Sequence, residues 1–117
     1  MLVLDKEKLF LHFKGNEQIM YKFLARFIEE LPKNIKSLTE FIKNDDVKNV
    51  EIMSHTLKGH FANFFCEPAQ KICQQIESTA RQGSVGACEI LMEQLLEVSN
   101  GVIYEVNAII NSNSKSA

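Results

Sequence analysis

Crossing a bilayer takes roughly 18 consecutive apolar residues, and no stretch of this 117-residue chain comes near that. The first residues, Met1-Leu2-Val3-Leu4-Asp5-Lys6, show no basic leader followed by an apolar segment. The cytoplasm is therefore the expected compartment, and no membrane partner is expected. An excess of one charge is also missing, since 13 basic and 15 acidic residues are mixed along the chain for a formal net charge of -2. Nucleic-acid binding needs a basic face that displaces counterions from phosphates, so neither DNA nor RNA is an expected partner. No glycine-rich loop of the P-loop or dinucleotide type is present, so any ATP chemistry must be performed by another protein.

Cysteine is scarce and odd in number. Cys66, Cys73 and Cys88 fall within helical patterns rather than between loops, which argues against a disulfide framework and reads as reduced thiols serving as small core residues. There is no Cys-x-x-Cys, and no Glu-x-x-His of the kind that di-iron bundles place on two helices, Glu51 and His55 being four apart. No metal or cofactor is expected on the chain. Strand signals are weak, and internal repeats and low-complexity stretches are absent. The length suits one core, so residues 1–117 read as a single domain whose polar tail, 111–117, frays.

What the chain does have is apolar residues at helical spacing almost throughout. A short first helix near Asp5 to Phe13 carries Leu9, Phe10 and Phe13, stops at Gly15 and closes one end of the bundle; Asn16 is placed to cap the next helix. The second helix, Glu17 to Lys43, has its stripe at Met20, Phe23, Leu24, Phe27, Leu31, Ile35, Leu38 and Ile42, with a kink or short break expected at Pro32. Asp46 caps a third helix from Val47 to Phe65. A fourth restarts at Glu67-Pro68, buries Ala69, Ile72, Cys73, Ile76 and Ala80, and ends at Gly83. Ser84 caps a fifth, from Val85 to about Ile110, with Cys88, Leu91, Leu95, Val98, Val102, Val106 and Ile109 inward. The fold class expected is all-α: an antiparallel up-and-down four-helix bundle with a short extra N-terminal helix.

On the third helix, at about 100° per residue, Val50, Met53, Leu57, Phe61 and Phe64 share one sector and His55 lies roughly opposite, facing water. Around His55 lie Glu51 one turn back, Lys58 and Gly59 one turn forward, and Ala62 two turns forward. An exposed neutral imidazole keeps a free lone pair near neutral pH and is a competent nucleophile toward phosphorus. Lys58 is placed to stabilise the charge of a transferred phosphoryl group. Gly59, at a cost of about 1 kcal/mol inside a helix, and Ala62 clear the surface for a partner's backbone. Glu51 is a candidate to orient the ring by accepting its proton. His60, displaced by roughly 140° from His55, reads as a half-buried structural side chain, and His12 has no evident partner.

At these residues the chain resembles the histidine phosphotransfer (HPt) domains of phosphorelays, whose motif is a histidine followed, after one variable position, by Leu-Lys-Gly. His55, Leu57, Lys58 and Gly59 match position for position, and Asn63 matches an asparagine common a turn later. His60 and Phe61 stand where the family usually has small residues, and Phe65 where glycine is frequent; these departures bear on which partner fits. The resemblance implies a monomeric carrier without kinase activity. Its histidine exchanges a phosphoryl group with aspartates of response-regulator receiver domains or a hybrid sensor histidine kinase, and the Mg²⁺ resides on the receiver. Two alternatives stand beside it: the phosphoacceptor domain of a larger sensor kinase, such as the chemotaxis type, and a helical module that binds kinase or receiver without carrying phosphate.

Overall fold

In the computed structural model the backbone is described for residues 3–116 and the side chains for residues 3–112. Five helices follow one another: α1 (Lys6–His12), α2 (Glu17–Lys43), α3 (Val47–Asn63), α4 (Glu67–Arg81) and α5 (Cys88–Ser116), the last preceded by a 3-10 turn over Val85–Ala87. There is no strand among the described residues. The four long helices alternate in direction, and each packs on two neighbours: α2 on α3 and α5, α4 on α3 and α5. The apolar stripes meet in one core built from Leu24, Leu31, Leu38, Val50, Leu57, Phe61, Ile76, Leu95 and Val102, among others.

Local chemistry sets the helix ends. Asp5 and Asp46 accept backbone N–H groups of Lys8 and Asn49, capping α1 and α3. Asn16 stands at the start of α2 but makes no side-chain cap; the Gly15 N–H goes instead to Glu17 Oε1 at 3.4 Å. Helices α2, α3 and α4 all finish in the same paired pattern, with the residue after the cap at positive φ: Asp45 (53°), Phe65 (59°) and Gly83 (82°). At the end of α3 the Cys66 N–H reaches the Phe61 carbonyl and the Phe65 N–H that of Ala62. The histidine helix therefore stops at Asn63, short of the Phe65 expected from periodicity, because Phe65 takes the left-handed conformation that turns the chain into α4.

Several expectations need correcting. Helix α2 runs unbroken through Pro32. The proline removes only the bond to the Ile28 carbonyl, and buried Phe27, Leu31 and Ile35 seat both halves on the same core. Phe10 and Phe23 are exposed rather than buried, Phe23 by 51%, because α1 covers the end of the bundle with Leu9 and leaves those rings at its edge. In α5 the inner face includes Met92, Ser99 and Glu105, while Leu91 and Val98 are half-buried. Glu105 is drawn in by the N-terminal segment, whose Val3 N–H donates to Glu105 Oε2 at 2.8 Å. Ser84 makes no side-chain cap. The backbone of α5 is helical to Ser116, no glycine or proline following Gly101; Ala117 lies outside the described residues.

Candidate functional site

His55 lies near the middle of α3 with 67% of its side chain exposed. Beneath it, Val50, Leu57 and Phe61 are fully buried, and Ser54 is buried too, its hydroxyl donating to the Val50 and Glu51 carbonyls. Leu57 two residues on and Ser54 just before thus fix the face that His55 presents. Ring nitrogen Nδ1 is 2.9 Å from Oε2 of Glu77, on α4. A carboxylate oxygen can only accept there, so Nδ1 carries a proton, and in the neutral ring the lone pair falls to Nε2. Among the described residues Nε2 makes no hydrogen bond and faces solvent.

Glu77 is the hub. Its side chain is only 4% exposed, and it gathers Lys58 Nζ on Oε1 at 2.7 Å, and both His55 Nδ1 and Arg81 Nη2 (3.0 Å) on Oε2. Burial pushes this carboxyl up, but the hydrogen bonds from Lys58 and His55 and the charge on Lys58 outweigh it and hold Glu77 below its ordinary value, so it is anionic at neutral pH. Lys58, 24% exposed, also donates to Gln74 Oε1, whose amide in turn donates to Ser78. The side chain expected to turn the ring, Glu51, accepts from Arg81 Nε at 2.9 Å instead. Facing α4 across the helix pair, it meets the guanidinium before the imidazole.

Periodicity alone does not single out Glu77 as functional, but a signal is there. Cys73, Ile76, Glu77 and Ala80 share one helical stripe, so the glutamate sits in the buried seam of α4, where an unpaired charge is too costly to keep. Such a carboxylate must have partners across the interface.

The two glycines inside long helices differ in kind. At Gly101 an added Cβ would lie 3.3 Å from Val3, so internal packing accounts for it. At Gly59 nothing lies within 4 Å of such a Cβ. The open surface continues to Ala62 and Asn63 and on to a groove floored by Phe13, Phe64 and Phe65 and edged by exposed Phe23. His12 packs edge-on against Phe13 and Phe65 at this end, and half-buried His60 lines the neighbouring hollow with Arg26, Phe27 and Glu30. Neither histidine approaches the Glu77 cluster. Among the described residues no three His, Cys, Asp or Glu side chains converge as a metal cage would require.

A solvent-facing histidine held at one nitrogen by the next helix of a four-helix bundle defines a class, and the comparisons agree with it. The Hpt domain family matches residues 22–103, and the chain belongs to that family. Two solved structures share its fold at 20% identity. Histidine-containing phosphotransfer protein B from Pseudomonas aeruginosa PAO1 aligns over 94% of this chain and 96% of its own, with a TM-score of 0.89. The HPT domain of a sensor hybrid histidine kinase from Shewanella aligns over 94% and 95%, with a TM-score of 0.82. No curated protein matches the sequence.

Proposed function

We propose that this protein is a monomeric phosphorelay carrier in which His55 Nε2 takes a phosphoryl group from a receiver aspartyl phosphate and yields it to another receiver. The observation that carries this reading is the division of labour on one ring, with Nδ1 tied to buried Glu77 while Nε2 stands free. In the transfer the Nε2 lone pair forms the N–P bond, the P–O bond to the aspartyl carboxylate breaks, and its electron pair leaves with the carboxylate oxygen. Nδ1 keeps its proton, so the ring becomes formally cationic as the bond forms. Glu77 neutralises that charge much as a buried aspartate supports imidazolium in a hydrolase triad. The same cationic ring is a good leaving group in the return step.

Lys58 answers to the phosphoryl oxygens by releasing part of its hold on Glu77 and Gln74. Gly59 and Ala62 give the receiver's loops a floor without side chains, and Glu51 acts through Arg81 rather than on the ring. The receiver brings Mg²⁺, which neutralises charge on the phosphoryl oxygens in the in-line transfer; this chain needs no cofactor of its own and performs no ATP chemistry. The test is to mix the protein with an aspartate-phosphorylated receiver and look for an acid-labile, base-stable label located on Nε2 by ³¹P–¹⁵N correlation. Label that persists in His55→Ala overturns the assignment. Tight receiver binding with no label on the wild-type chain favours the non-phosphorylated module instead, and direct labelling by a kinase domain with ATP favours the chemotaxis-type acceptor.

A further inference from the structure

Glu77 poses a problem that the site must solve. A buried carboxylate bonded to an imidazole favours the doubly protonated ring, and an imidazolium has no lone pair to offer phosphorus. The charged groups facing His55 and its partner are few: Glu51 and Lys58 from α3, Glu77 and Arg81 from α4. Among the described residues, α2 brings no charged group into ion-pair contact with them. Lys58 occupies Oε1. Arg81 occupies Oε2, the same oxygen that His55 addresses.

The geometry points to Arg81 as a positioning residue for the phosphotransfer reaction: by sharing Oε2 with His55 it balances Glu77, so that the ring Glu77 orients stays neutral and nucleophilic. Arginine suits the task because its planar fork serves two carboxylates at once. Here Nε binds Glu51 and Nη2 binds Glu77, which ties the guanidinium across α3 and α4. The four charges, Glu51, Glu77, Lys58 and Arg81, sum to zero around an uncharged imidazole. Arg81 is 59% exposed, and ion pairs that exposed add little to stability. Its consequence falls on the buried oxygen it touches.

The inference rests on His55 being the phosphoryl acceptor, and two readouts keep the claims apart. The first is an NMR titration of the His55 ring in the unphosphorylated protein. The second is the pH profile of transfer from one phosphorylated receiver. In Arg81→Gln the ring is expected to hold its second proton to higher pH, by about half a unit to one unit. The acid limb of transfer moves with it, giving a roughly three- to tenfold deficit on that limb that closes as the pH is raised. Arg81→Lys restores most of the limb, and in a Glu77→Gln background the effect of Arg81→Gln shrinks. A ring titration and an acid limb both unmoved in Arg81→Gln overturn the proposal, as does a deficit of equal size at every pH, which is what a purely structural role would give. A displaced ring titration with no label on the wild-type protein defeats the phosphotransfer reading and leaves the charge balance standing.

Discussion

Replacing Glu77 by glutamine keeps an acceptor for the His55 ring but removes the charge that three donors share. Charge-assisted hydrogen bonds are about twice as strong as neutral ones, and a loss of about 1.4 kcal/mol at the transition state is tenfold in rate. Single-turnover transfer to Glu77→Gln should therefore slow by roughly tenfold, with the label still on His55. The pH dependence of stability follows from the same residue. Glu77 is held below the 4.5 of an unperturbed glutamate. Its network therefore stabilises the fold fully above that value, and the contribution is lost as the pH falls through the depressed one. Urea unfolding between pH 7 and pH 3 should show a steeper acid loss for the wild-type chain than for Glu77→Gln. Parallel curves would mean that Glu77 is not held low.

At the scale of the element, one substitution has opposite effects at two glycines. Neither Gly59 nor Gly83 has an atom within 4 Å of an added Cβ, but Gly83 sits at φ +82° and Gly59 in regular helix. Gly83→Ala forces a side chain into the left-handed region at the end of α4 and should cost about 1 kcal/mol. Gly59→Ala should raise stability by up to about 1 kcal/mol through helix propensity. If a receiver docks there, the same methyl overpacks the interface by about 1–3 kcal/mol, and transfer falls roughly tenfold while the melting temperature rises. Transfer at the wild-type rate in a stabilised Gly59→Ala would remove the docking role of that surface. Phe65 shows the converse economy. It keeps a conformation better suited to glycine, while its ring packs against the core and His12 and its carbonyl accepts the Asp5 N–H that ties down the N-terminal segment.

For the molecule as a whole, the single core seals all three thiols. Cys66, Cys73 and Cys88 are unpaired and buried, and burial pushes the first two up to about 12. Thiolate is the reactive form, so a thiol reagent at pH 8 should label the native protein only as fast as it opens. Labelling rates should then track urea-induced unfolding, and a fast-reacting cysteine in native buffer would show that one wall of the bundle is loose. No helix among the described residues is long and apolar enough to cross a membrane; the long helices spend their apolar surface on one another.

The helices, their order and the placement of His55, Lys58 and Gly59 on one stripe were legible in the sequence, because the 3.6-residue period is a local property that each helix carries by itself. The bounds of α2 and the capping role of Asp46 were equally local, set by turn chemistry within a few residues. What periodicity could not supply was the pairing across α3 and α4. His55 and Glu77 are 22 residues apart, and only the packing angle of two helices decides that Glu77 meets the ring while Glu51 meets Arg81. The burial of Glu105 against Val3, 102 residues away, is of the same kind. A helix fixes which side chains share a face, whereas the partner of a buried charge is chosen by whatever the fold brings opposite, since a charge out of water must be paired by the nearest group able to do so.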